Sequence, residues 1–277
     1  MIEAQDIKYE YIRRDDHDEV VAVETALNAV SFRIEAGQFV GIIGANGSGK
    51  STLAKHLNAL LIPEEGTVFV DGIDTSDGKM TFEVRSLVGM IFQNPDNQIV
   101  HDMVEDDVAF GPENLGVAQD ELRSRVDEAL MMVGMSESAT VSPMRLSGGQ
   151  KARVAIAGVL AMKPKCMVFD ESTAMLDPAG REEVLREVRR LNTEEGITVI
   201  WITHFSEEVV GADTVLVMDE GELVLSGSPR EVFSEAEWLD EMGLSVPTSV
   251  SISRELGLPV ALTSDELVTT IQTALYG

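Results

Sequence analysis

The chain has 277 residues, enough for one large domain with an appendage, and its 48 acidic against 21 basic residues give a formal net charge of −27. Such a surface repels nucleic acid and anionic lipid, which argues against both as partners, although a solvated acidic surface suited to high salt explains the charge equally well. No apolar stretch of about 18 residues predicts a membrane span, and the single cysteine, Cys166, excludes an internal disulfide.

The first forty residues indicate strands and turns. Residues 1–6 contain neither the basic region nor the apolar segment of a secretory signal, so we expect the protein to stay in the cytoplasm. Tyr9 and Tyr11 fall within this stretch. Residues 22–27 and 30–34 then predict two further strands joined by a short connection.

A complete phosphate-binding loop follows. Residues 39–43 form a short apolar run that predicts a buried strand, and residues 52–57 have helical spacing. Between them, residues 44–51 match the pattern G-x-x-x-x-G-K-[ST], which a chance glycine turn would not match with the correct strand and helix on its flanks. Lys50 supplies a positive charge for the β- and γ-phosphates, and Ser51 offers its hydroxyl to Mg²⁺. The predicted ATP-binding residues of this loop are Gly44, Asn46, Gly47, Ser48, Gly49, Lys50, Ser51 and Thr52.

Three apolar runs further along the chain end in polar residues. Gln93 follows residues 88–92, Asp170 and Glu171 follow residues 166–169, and His204 follows residues 198–203. Parallel strands present ligand-binding groups at their carboxyl ends, so Asp170 is predicted on the Mg²⁺ side. Glu171, expected on the other face of its strand, would orient or deprotonate the attacking water. Gln93 and His204 would reach the metal, the water or the γ-phosphate, although each alone fits an ordinary strand end.

Residues 95–160 indicate helices. Residues 120–133 place their apolar side chains on one face, and a second helix follows the glycine-rich residues 147–150. Backbone N–H groups at the start of that helix suit a second anionic contact, which suggests a nucleotide held between two copies of the fold. Four methionines of this region are expected in the core rather than in a partner groove, and they are Met131, Met132, Met135 and Met144.

The character of the sequence changes after an acidic hairpin-like turn at residues 219–222. Ser228 and Glu231 have the spacing of a capping box around a proline at the first helical position. Residues 263–266 begin a last helix with an apolar stripe.

In this order the motifs resemble those of the ATP-binding-cassette (ABC) ATPases over residues 2–225. The resemblance implies an α/β P-loop NTPase fold with a RecA-like parallel-sheet core, an antiparallel β-subdomain, a helical signature subdomain near residues 95–160 and a small C-terminal helical extension. The nucleotide-binding domain would span residues 1–226, and the extension residues 227–277.

The same resemblance assigns site residues. Tyr11, with Tyr9 as competitor, would stack on adenine, Gln93 would be the Q-loop glutamine and His204 the switch histidine, and residues 174–177 would form the D-loop with Asp177. Metal ligation would fall to Ser51, Gln93 and Asp170, and catalysis to Glu171, His204 and Gln93. The signature would complete the ATP site of a second subunit in trans, through Ser147, Gly148, Gly149 and Gln150. ATP binding would close the dimer, and hydrolysis would open it.

Residues 94–98, 104–114 and 170–178 resemble more closely the ATPases of energy-coupling-factor (ECF) importers, and the last segment resembles the first of their two paralogous subunits. This implies ATP and Mg²⁺ as cofactors. It implies as partners a second ATPase subunit, identical or paralogous, a transmembrane coupling subunit, and a membrane subunit that selects a vitamin, cobalt or nickel. The chain would lie peripherally on the cytoplasmic face of the membrane, with no nucleic acid partner. Residues 227–277 would hold two ATPases together or fold on their own core.

Two alternatives belong to other functional classes. A non-transport ABC ATPase, such as an iron–sulfur cluster assembly ATPase, would share the catalytic motifs but not residues 94–98. A DNA-repair or chromosome-structuring ATPase would need long coiled coils and affinity for DNA, and the chain has no long heptad run.

Overall fold

The protein is described here by a computed structural model that covers residues 1–276, so the last residue of the predicted 227–277 extension lies outside the described residues. The strands are β1 (Ile2–Arg14), β2 (Val20–Ile34), β3 (Phe39–Gly44), β4 (Glu65–Val70), β5 (Ile73–Asp74), β6 (Val88–Ile91), β7 (Cys166–Asp170), β8 (Thr198–Ile202), β9 (Thr214–Asp219) and β10 (Glu222–Gly227). The helices are α1 (Lys50–Leu57), α2 (Thr81–Leu87), α3 (Val104–Asn114), α4 (Gln119–Met132), α5 (Gly148–Met162), α6 (Pro178–Glu195), α7 (Pro229–Ser234), α8 (Ala236–Glu241), α9 (Thr248–Glu255) and α10 (Ser264–Tyr276).

A six-stranded sheet in the order β10-β9-β3-β8-β7-β6 forms the centre, and all of its neighbouring strands are parallel except β10. Strands β3, β6, β7 and β8 are buried along their whole length, as expected of parallel strands covered on both faces. Alternate residues along the central strands point to opposite faces of the sheet and pack in two separate cores. Val168 and Ile200 pack with α1 and the N-terminal strands, whereas Phe169 and Trp201 pack with the helices of the opposite face. The predicted α/β core is confirmed.

The smaller sheet is antiparallel, in the order β2-β1-β4-β5. The prediction of two strands over residues 22–34 is wrong, because β2 runs without interruption from Val20 to Ile34. Ala29 adopts a left-handed backbone with φ of 53°, and the pairing register with β1 shifts nearby. An irregularity of this kind bends a strand without ending its pairing, so the local sequence looked like a connection.

Helices α3, α4 and α5 form the predicted helical insertion, and the apolar face of α4 is buried as its spacing requires. The methionines of this region divide. Met135 is 3% exposed, in agreement with the core prediction. That prediction is wrong for Met131 and Met144, which are 67% and 83% exposed.

The C-terminal segment begins with the predicted capping box, in which Ser228 and Glu231 bond each other's backbone N–H groups at the start of α7. Phe233 and Leu239, from α7 and α8, pack in the same core cluster as Trp201 of the central sheet. Helix α10 buries little beyond Leu267. Because α7 and α8 share a core with the central sheet, the boundary between a domain of residues 1–226 and an extension of residues 227–277 stays a prediction. Within residues 1–276, no helix has the length and apolar character that crossing a bilayer requires.

Candidate nucleotide site

The phosphate-binding loop connects the carboxyl end of β3 to the first residue of α1. Gly47 and Gly49 have φ of 83° and 95°, in the left-handed region that side chains other than glycine rarely enter. A Cβ on Gly49 would also lie 2.4 Å from the carbonyl oxygen of Ala26. The loop therefore needs glycine at this position for both its backbone conformation and its space.

Lys50 is buried and folds back over this loop. Its ammonium donates hydrogen bonds to the carbonyl oxygens of Gly44 at 2.9 Å and Ala45 at 2.8 Å. The nearest carboxylate oxygen, Oε1 of Glu171, lies 3.9 Å from Nζ. Burial lowers the pKa of Lys50, against the opposing effects of the neighbouring carboxylates Glu171 and Asp170. The loop thus holds a cation that is only partly neutralised by protein, as a phosphate-binding site requires.

Asp170 and Ser51 form an oxygen-rich pair beside this lysine. The Ser51 hydroxyl donates to Oδ1 of Asp170 at 2.7 Å, and the carboxylate is 4% exposed. Burial raises the pKa of Asp170, while the Ser51 hydrogen bond works in the opposite direction and the charge of Glu171 adds to the rise. A hydroxyl and a carboxylate in contact are hard oxygen donors of the type that Mg²⁺ prefers, so these residues fit the metal.

Glu171 lies at the centre of the polar cluster. Its Oε1 is 2.6 Å from Nε2 of His204, and its Oε2 accepts a hydrogen bond of 2.9 Å from Nε2 of Gln93. With Lys50, these residues come from four separate segments and meet at the carboxyl edge of the sheet, as the sequence predicted. Glu171 itself lies beyond the end of β7 with φ of 50°, so strand alternation does not set its direction.

The two candidate aromatics differ in accessibility. The Tyr11 hydroxyl lies 3.3 Å from Oγ1 of Thr52, and the Tyr11 residue is 40% exposed. The Tyr9 ring is half-buried and packs edge-on against Tyr11 and His56, with ring centroids 5.1 and 4.9 Å apart. An adenine could reach the Tyr11 side chain without displacing protein, which favours Tyr11 over Tyr9.

The signature residues form a capped helix start away from this loop. Ser147 caps α5 in a capping box with Gln150. Gly149 lies close to Leu176, because a Cβ on this glycine would be 3.4 Å from Cδ2 of the leucine, and Asp177 then caps α6. Among residues 1–276, no hydrogen bond or ion pair joins residues 147–150 to residues 44–52.

An apolar groove of about 470 Å³ lies between the central sheet and the helical insertion. Exposed Phe82, Val100 and Phe110 lie along it, with exposed fractions of 63%, 63% and 44%. Gln98 lines the same groove, and its side chain accepts from the Phe92 N–H and donates to the Ala155 carbonyl. No pattern in the sequence predicted this groove, because its lining comes from separate segments with no shared motif.

Known proteins with similar sequences carry ATP-binding names. A family model described as "ABC transporter" matches residues 27–174. The "Energy-coupling factor transporter ATP-binding protein EcfA1" of Clostridium novyi (strain NT) is 52% identical over 274 residues, which cover 97% of this chain and 96% of the relative.

Two solved structures share the fold and much of the length. Clostridium perfringens cbiO1, described as part of the ABC transporter complex cbiONQ, gives a TM-score of 0.72 at 39% identity and covers 88% of this chain and 94% of its own. The second is the dimeric post-hydrolysis state of the ATP-binding cassette MJ0796, bound to ADP and Pi. It gives a TM-score of 0.74 at 29% identity, and the match covers 83% of this chain and 99% of the MJ0796 chain.

Proposed function

The chain belongs to the ABC transporter family, as an ATP-binding subunit of the energy-coupling factor type that couples ATP hydrolysis to transport, and we propose which residues perform each step. The observation that carries the proposal is the cluster around Glu171, where Gln93 and His204 bond the two carboxylate oxygens and Lys50 lies close by. A carboxylate held in this way has a fixed orientation toward the phosphate-binding loop.

In the proposed reaction, residues 44–52 bind the phosphates of ATP and Tyr11 contacts the adenine ring. The Glu171 carboxylate accepts the proton of the attacking water. His204 and Gln93 orient that carboxylate and contact the water or the γ-phosphate. Hydrolysis then releases the γ-phosphate that these groups contact, so the contacts that stabilise the closed dimer are lost.

Mg²⁺ is part of the proposal because the residues beside the loop fit it. Ser51, Gln93 and Asp170 would hold the ion, which when bound neutralises phosphate charge in the transition state. The contact between the Ser51 hydroxyl and the Asp170 carboxylate supports this assignment.

We further propose that two ATP-binding chains close around ATP, with Ser147, Gly148, Gly149 and Gln150 of one chain facing the nucleotide on the other. The backbone N–H groups at the start of α5 suit the γ-phosphate. The absence of any bond between residues 147–150 and residues 44–52 within residues 1–276 is consistent with use in trans. The D-loop residue Asp177 would lie at the same interface, and the partner chain is identical or a paralogue.

The apolar groove is the proposed docking site of the transmembrane coupling subunit. Its exposed apolar residues would be buried by a helix of that subunit, with residues 94–98 relaying the contact to Gln93. Lys151 donates to Asp96 at 2.6 Å, so this relay is also tied to the signature helix α5. The chain would thereby lie peripherally on the cytoplasmic face of the membrane, while a separate membrane subunit selects a vitamin or a transition-metal ion. The relatives favour this reading over an iron–sulfur assembly ATPase.

Glu171→Gln tests the central step. The amide keeps the size of the side chain but cannot accept the proton, so we expect kcat for ATP hydrolysis to fall at least about 100-fold. ATP binding and ATP-dependent dimerisation, measured by equilibrium binding and light scattering, should persist. Glu237→Gln, on the exposed surface of α8, is the matched control and should hydrolyse ATP as the wild type does. Hydrolysis at the wild-type rate by Glu171→Gln would refute the proposed role.

A further inference from the structure

A buried carboxylate lies directly behind the turn that carries His204. Glu208 is 7% exposed, and its Oε2 accepts two hydrogen bonds, from Nε1 of Trp201 at 2.9 Å and from the Thr203 hydroxyl at 2.5 Å. The Thr203 hydroxyl oxygen in turn accepts from the N–H of Phe205 at 3.0 Å. One carboxylate oxygen therefore connects the end of β8 with residues on both sides of His204.

The histidine ring is only partly enclosed, so its orientation depends on the turn that carries it. The His204 side chain is 37% exposed, whereas its Nε2 must meet Oε1 of Glu171 at 2.6 Å. A half-exposed side chain on a turn has several accessible orientations, unless the backbone beneath it is fixed. Thr203 and Phe205 fix that backbone through the same hydroxyl group, and Glu208 fixes the hydroxyl.

Burying this carboxylate is costly, which makes its contacts informative. A buried carboxylate is tolerated only where hydrogen bonds and a neighbouring charge compensate for lost water. Here the guanidinium of Arg189 donates to the backbone carbonyl of Glu208 at 2.9 Å, and its charge lies close to the carboxylate. Among the described residues, no hydrogen bond or ion pair joins Glu208 to residues 44–52, and the side-chain bonds of Glu208 go to Trp201 and Thr203 at the start of the histidine turn.

We propose that Glu208 is a positioning residue for ATP hydrolysis, which holds His204 against Glu171 through the hydroxyl of Thr203. The inference rests on the proposed roles of Glu171 and His204. Glu208 follows His204 by one helical turn in sequence, and neither the periodicity nor the motifs mark Glu208 out.

Steady-state kinetics of two Glu208 variants test the proposal. Glu208→Leu removes both acceptor bonds, and we expect kcat to fall about tenfold or more with at most a small rise in the KM for ATP, because residues 44–52 supply most of the proposed contacts to the phosphates. Glu208→Gln keeps an oxygen that can accept from Trp201 and Thr203, and should restore most of kcat. Equal losses in both variants, or a loss confined to KM, would contradict the positioning role.

Thr203 offers a second route if Glu208→Leu does not fold. Thr203→Val removes only the hydroxyl that links Glu208 to the turn, so kcat should again fall, and Thr203→Ser should retain it. Thr198→Val is the matched control, since Thr198 is a buried threonine at the other end of β8 whose hydroxyl accepts from the Gly37 N–H at 2.9 Å. That control should lower the melting temperature without lowering kcat. A kcat in Thr203→Val no lower than in Thr198→Val overturns the proposal.

A double-mutant cycle with His204→Ala separates positioning from general stabilisation. If Glu208 acts through the histidine, Thr203→Val and Glu208→Leu should have no further effect on kcat once the ring is removed. Additive losses would show that Glu208 acts independently of His204. If Glu171→Gln is inactive, that result would overturn the positioning role of Glu208 and leave the proposed function intact. Wild-type turnover by Glu171→Gln would instead remove the proposed function on which the inference rests.

Discussion

At the level of a single residue, burial of Asp170 in the candidate nucleotide site opposes folding when the carboxylate is charged. The side chain is 4% exposed, and burial raises its pKa despite the hydrogen bond from Ser51. In the nucleotide-free protein the charged carboxylate therefore lies where burial disfavours its charge relative to water. A cation bound beside Ser51 would oppose this effect of burial, because the ion favours the charged form.

Asp170→Asn should therefore stabilise the nucleotide-free protein while abolishing ATP hydrolysis. The amide keeps an oxygen for the Ser51 hydroxyl and removes the buried charge. The folded-state pKa of Asp170 lies above the unfolded value of about 3.9, so wild-type stability falls relative to the variant as pH rises through the interval between them. Denaturant unfolding in EDTA should show the variant's advantage at neutral pH.

The same advantage should shrink as the pH is lowered toward the raised pKa, because Asp170 is then neutral in the wild type as well. Asp16→Asn, in the exposed turn between β1 and β2, is the control and should show no such advantage. An Asp170→Asn protein that is less stable than the wild type at neutral pH would contradict the account.

Between elements, α5 and β6 approach each other closely near the site. A Cβ on Gly89 would lie 2.4 Å from Cγ1 of Val159 and 3.2 Å from Cγ of Pro164, so the helix packs where only a glycine leaves room. Helix α5 begins at the signature, and β6 ends just before Gln93. This contact therefore links the two elements that we propose to act on opposite ATP sites.

Gly89→Ala should force α5 away from the sheet and destabilise the protein by about 1–3 kcal/mol, as overpacking does in other cores. Shortening the opposing side chain in Gly89→Ala/Val159→Ala should recover part of the loss, which a denaturant series on both single variants and the pair would measure. Gly78→Ala is the control, because a Cβ there meets no atom within 4 Å. Equal stability of Gly89→Ala and Gly78→Ala would mean that the contact is loose.

For the molecule as a whole, the dominant physical property is its net charge of −27. In the proposed dimer of two identical chains, closure around ATP would bring two strongly acidic bodies together, and the nucleotide would add further negative charge. Contacts at the phosphates must overcome this repulsion, which dissolved salt screens over a Debye length of about 10 Å at 0.1 M.

The ATP-bound dimer of Glu171→Gln should therefore become more stable as salt rises. We expect the dimer dissociation constant, measured by analytical ultracentrifugation with excess ATP and Mg²⁺, to fall severalfold between about 0.1 M and 1 M KCl because screening reduces the repulsion. A dissociation constant that rises with salt would mean that local ion pairs across the interface outweigh the repulsion between the whole chains.

Local patterns predicted much of this protein. The phosphate-binding loop was readable because glycines with positive φ and the flanking strand and helix are consecutive in sequence. The capping box at Ser228 was equally local, since a side chain bonds a backbone group three residues away, whereas the one at Ser147 was not predicted. Buried apolar runs then gave the strands, and the order of motifs gave the fold. The bulge at Ala29 was missed because pairing with β1, not the local sequence, keeps β2 continuous.

Tertiary packing decided the rest. The order of the central sheet brings the ends of β6, β7 and β8 side by side, so Gln93 and His204 meet Glu171 although 78 and 33 residues separate them. It also buries Glu208 behind the histidine turn and opens the apolar groove between sheet and helices. These contacts depend on which distant surfaces pack together. Packing between segments that are remote in sequence produces no local periodicity or motif from which it could be predicted.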